Sequence, residues 1–196
     1  MLKVLDVKLD KNSINKALME SKELQQKGWI WCEKYTNEKL EQKKNELISN
    51  FQNHPITQEI AAGAAATNFT GTLGGYGNLY GFIGFKAGDN PVDRAIQGFR
   101  NVITYNRIGF FNFVWELGIT LPSRSNMKPY TKMEWMNKSW IFEIEKGIPD
   151  LARYMAKDHP SSRSGGGFQA DRAIRKSQMV KSEYISEMIK IFKDIK

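Results

Sequence analysis

The chain has 196 residues, 41% hydrophobic and 26% charged, with 16 Gly, 6 Pro and one Cys; this is the length of a single domain with enough apolar residues for a core, and it excludes a disordered chain or a fibrous repeat. Cys32 has no partner for an internal disulfide, and with His54 and His159 it leaves too few soft ligands for a structural zinc site. No apolar run reaches the ~18 residues of a membrane span, since the longest, 108–115, is interrupted by Asn112 and followed by Glu116.

The opening MLKVLDVKLD alternates charged and apolar residues. It lacks the basic and apolar regions of a secretory signal, so a cytosolic site of synthesis is expected, and the alternation predicts a first strand over 2–9. A helical pattern starts at Asn12 or Ser13, with Gly28 as its expected break. A second helical stretch over 29–51 carries Tyr35, Leu40, Leu47 and Phe51 on one stripe and ends at His54-Pro55, where a third, short helix begins.

Seven glycines then fall between positions 71 and 88, mixed with aromatics. The passage predicts a flexible loop feeding a strand over 79–85. It reads either as an assembly loop, glycine supplying adaptability and the aromatics contact area, or as an internal core hairpin. A nucleotide loop is excluded, because no Gly-Lys dipeptide occurs and Tyr80 stands where the dinucleotide fingerprint needs its third glycine.

Asn90 as cap and Pro91 at the first turn predict an amphipathic helix through Ile103, with Val92, Ala95, Ile96, Phe99 and Ile103 on one face. An aromatic, β-prone strand is expected over 108–119, a polar connection over 121–138, and a strand over 139–144. A glycine-rich loop at 161–167 precedes a terminal amphipathic helix from about Ala173, with Ile185, Met188 and Phe192 among its apolar residues. The expected fold class is α+β: one twisted, mainly antiparallel sheet with N-terminal helices and a C-terminal helix packed on it. Its buried positions are expected to include Phe82, Phe110, Phe113, Trp115, Ile141 and Ile144. The expected organisation is a single domain over 1–196, with a glycine-rich assembly loop at 71–88 and a projecting segment at 104–138.

Net charge is +8, of which +4 falls on residues 163–196. Over 11–53, eight lysines interleave with six glutamates, the pattern of a solvated helix face. The cluster Arg163, Arg172, Arg175, Lys176 and Lys181 reads either as a contact for an acidic partner or as solvated surface. Neither histidine lies near a nucleophile elbow. Glu143 and Glu145 share one face of the expected strand, which fits a polar strand edge as well as a pair of catalytic carboxylates. Asp10 with Glu20-Ser21-Lys22, and Glu41-Gln42-Lys43, match a magnesium-nuclease spacing, but on helices rather than strands. Among its neighbours Trp29, Ile30, Trp31 and Tyr35, Cys32 reads as a buried structural thiol. No enzymatic activity and no cofactor are expected.

Thr70-Gly71-Thr72-Leu73 followed by the segment 79–85, then Trp140-Ile141-Phe142-Glu143-Ile144-Glu145-Lys146-Gly147, with Trp115-Glu116-Leu117-Gly118 as a competing match, and a polar-then-helical tail from Phe168 resemble the neck and tail-completion proteins of tailed bacteriophages. The likeness runs over about 36–196; the glycine-rich expansion at 74–88 and the long 104–138 segment depart from the family pattern. The resemblance implies a structural virion protein, made in the host cytoplasm, whose ring at the neck joins head connector and tail. It implies as partners copies of the chain in a homo-oligomeric ring of six- or twelve-fold environment, neighbouring neck, connector or tail proteins, and non-specific contact with passing DNA, with no membrane. The assembly interface is then expected at Thr70, Gly71, Tyr76, Tyr80, Arg163, Gly165, Phe168, Arg172 and Arg175. The competing expectation is an α+β nucleic-acid-binding protein without catalytic activity.

Overall fold

A computed structural model of the chain describes residues 11–71, 78–111, 114–133, 137–146 and 184–194. The chain divides into two compact units, the first formed by the chain up to Glu41 with Tyr105–Thr120, the second by Gln42–Thr104 with the chain from Leu121 onward.

In the first unit, helix α1 (Lys11–Glu20) is followed after Ser21 by α2 (Lys22–Asn53), which runs on into the second unit. The helix break falls at Ser21, not at Gly28. Ser21 Oγ accepts the Leu24 amide at 3.4 Å, as an N-cap does. Gly28 lies inside α2, with the Trp115 ring against its α-carbon. Trp115 belongs to a hairpin of β1 (Thr104–Phe111) and β2 (Val114–Thr120). The single strand expected over 108–119 is therefore two, and a connection this short joins antiparallel neighbours.

The second unit is helical around Phe51, whose ring meets Phe99 edge-on at 5.1 Å, Tyr184 at 5.9 Å and Trp140 at 6.2 Å. After α2, α3 (Pro55–Ala61) starts on His54, whose Nδ1 accepts the Ile56 amide at 3.2 Å. Helix α5 (Pro91–Val102) buries Val92, Ala95 and Phe99, as its periodicity predicts, and half-buries Ile96. Against it packs α6 (Arg124–Thr131), inside the segment expected to be a connection. A reciprocal Ser123/Asn126 capping box starts α6, and Gly98 lets the two helices close: a β-carbon there would meet Met127 Cε at 2.8 Å and Tyr130 Cβ at 2.9 Å. Of the chain end, α8 (Ile185–Ile189) and a 3-10 turn over Lys190–Asp194 are described; they bury Ile185, Met188 and Phe192.

Two expected strands are helices. Residues 79–85 form α4 (Leu79–Ile83), because Asn78 Oδ1 caps the Gly81 amide at 2.8 Å and Gly84 closes the end at φ 92°. Leu79, Tyr80 and Ile83 are buried at helical spacing. The segment 139–145 forms α7 (Trp140–Glu143) and a 3-10 turn over Ile144–Lys146. Residues 140–144 are all buried, and a short apolar run buried all round carries no period that separates strand from helix. The α+β class stands in its coarse form, helices with an antiparallel strand pair, but among the described residues the sheet is β1–β2 alone. The strand expected over 2–9 lies outside the described residues. Ile141 and Ile144 are buried as expected, Phe82, Phe110 and Trp115 are half-buried, and Phe113 lies outside.

Candidate assembly surface

The expected interface begins at the feet of the glycine-rich loop, and there the structure shows a clamp. Glu59, on α3 and fully buried, accepts the Leu79 amide on Oε1 at 2.8 Å, and the Thr70 amide (3.1 Å) and hydroxyl on Oε2. Asn78 Nδ2 donates to the carbonyls of Ala64 (2.9 Å) and Ala66 (2.8 Å). A buried carboxylate with three donors thus fixes residues 70 and 79, the two sides of the loop. Thr70 is half-buried in this clamp, and Gly71 is exposed at φ 66°. Tyr80 is 2% exposed, packs on Phe85 and donates its hydroxyl to the carbonyls of Lys86 and Asp89. Its ring is part of the core, not of a surface. Tyr76, Arg163, Gly165, Phe168, Arg172 and Arg175 lie outside the described residues.

Phe69, beside Thr70, is 55% exposed, and among the described residues further exposed aromatics lie on α2 of the first unit. Trp31 is 75% exposed and lies parallel to the Tyr35 ring at 6.4 Å, with Lys39 Nζ 5.7 Å from the Tyr35 centroid. Ile30 and Leu24 are exposed on the same helix. The expected stripe placed Tyr35 with Leu40, Leu47 and Phe51; those three are buried and Tyr35 is not. The overlooked signal was Trp29-Ile30-Trp31: three bulky neighbours on a helix point ~100° apart and cannot share one face.

The hairpin packs on α2 at Gly28, Trp29 and Glu33. Arg107 forms a fork with Glu33 (Nε–Oε1 2.6 Å, Nη2–Oε2 2.8 Å) and lies 5.2 Å from the Trp29 ring. The Arg107 hydrogen bond holds the Glu33 carboxyl below the ordinary carboxylate range. Cys32 is half-buried rather than fully buried.

The chemical candidates separate rather than converge. Glu143 pairs with Arg124 at 2.5 Å, while Glu145 accepts the Tyr184 (3.2 Å) and Ser186 (2.6 Å) amides and the Ser186 hydroxyl at the start of α8. The two carboxylates therefore hold different elements and do not share a strand face. Lys43 pairs with Glu46 one turn along α2 at 2.9 Å, and Asp10 lies outside the described residues. His54 meets the ring of Tyr184 edge-on at 4.8 Å, and burial lowers its pKa. Burial raises the pKa of Tyr184, whose hydroxyl hydrogen-bonds Thr57 at 2.5 Å. Among the described residues no His, Cys, Asp and Glu cluster could hold a metal ion, and no helix is long and apolar enough to cross a membrane.

No family model, curated protein or solved structure matches the chain. Its functional reading rests on its own residues.

Proposed function

We propose that the chain is a non-enzymatic assembly protein, a subunit of the neck ring that joins head connector and tail in a tailed bacteriophage. The observation that carries the assembly part is the Trp31–Tyr35 face: a tryptophan three-quarters exposed and stacked on an exposed tyrosine is the composition of a protein interface awaiting its partner. Buried Glu59 and Glu143 and half-buried Glu145 each tie one segment of the second unit to another, a structural use of carboxylates. The place at the neck comes from the order of the sequence motifs at 70–73, 140–147 and the tail from Phe168. Copies of the chain and the adjoining neck, connector or tail proteins are the partners in this reading, and the mature location is the virion.

The test is to interrupt the gene in the phage that carries it and image the lysate. Filled heads and separate tails that fail to join are the expected result. Normal particles would remove the neck reading.

A further inference from the structure

We draw no further inference here: the strongest candidate, the open cleft between α3 and the first turn of α5 lined by Gln58, Asp89, Asn90 and Asp93, rests on a helix N-terminus and a pair of carboxylates, and no second feature among the described residues points to a ligand.

Discussion

The indole of Trp115 rests on the α-carbon of Gly28, so close that a β-carbon at position 28 would stand 2.0 Å from Cζ2 and 2.4 Å from Cε2. The contact fastens the hairpin to α2 and explains a glycine in the interior of a long helix. Gly28→Ala sets two effects against each other. Helix propensity favours Ala by about 1 kcal/mol, but the ring must leave its seat, and overpacking costs about 1–3 kcal/mol. The expected outcome is a net loss of stability, with Trp115 fluorescence shifted to the red as its ring enters water. A variant more stable by the full propensity gain, with unchanged emission, would show that no ring sits there.

Gly98→Ala poses the same contest between α5 and α6. Met127 Cε is the end of a flexible side chain and can yield, but Tyr130 Cβ is fixed to its backbone. Stability should fall by about 1–3 kcal/mol in urea unfolding. An unchanged or raised midpoint would mean that α6 slides without cost.

Glu59→Gln removes the charge that gathers three hydrogen bonds and places a donor where acceptors are needed. Hydrogen bonds to charged groups contribute about 1.5–3 kcal/mol each, and partial retention by the amide oxygen leaves an expected loss of about 2 kcal/mol. Hydrogen exchange at the Leu79 amide should accelerate. Protection equal to the wild type would mean that the clamp does not hold the loop.

His54 predicts a pH dependence. Its pKa is lowered by burial, and its Nδ1 accepts the Ile56 amide, a bond that protonation abolishes. Among the described residues, the titratable groups facing it are Tyr184, against its ring, and Glu187, across the cleft it lines. The unfolded chain takes up the proton first, near the ordinary histidine pKa of about 6.5, so this contribution is full above that pH and is lost as pH falls towards the folded-state value. His54→Asn keeps a capping acceptor and removes the titration. Urea midpoints from about pH 8 down to pH 5 should fall more steeply for the wild type than for the variant. Parallel curves would contradict the assignment.

What the sequence made legible were elements whose signals are local. Asn90-Pro91 and the Val92/Ala95/Phe99 spacing give α5, and His54-Pro55 gives the end of α2. The errors have one physical origin, that aromatic and β-branched residues were read as strand formers where burial and caps decide. Asn78 and Gly84 bracket α4, and Ser123 with Asn126 opens α6, yet these caps lay within polar or glycine-rich stretches that read as loops. Gly28 read as a breaker because its role is played by Trp115, 87 positions away in the sequence. Tyr80, expected at the interface and found buried, shows the same effect. Tyr80 sits in a glycine-rich context that suggests exposure, whereas Trp31 sits in a helix that suggests a core, and tertiary packing reverses both.

The central claim is that the chain is a fixed part of a particle. The most direct measurement is its copy number in purified virions, by quantitative mass spectrometry against a capsid subunit of known count. The account predicts a constant six or twelve copies per particle, retained through density-gradient purification. Absence from the particles, or a copy number that varies between preparations, would contradict it.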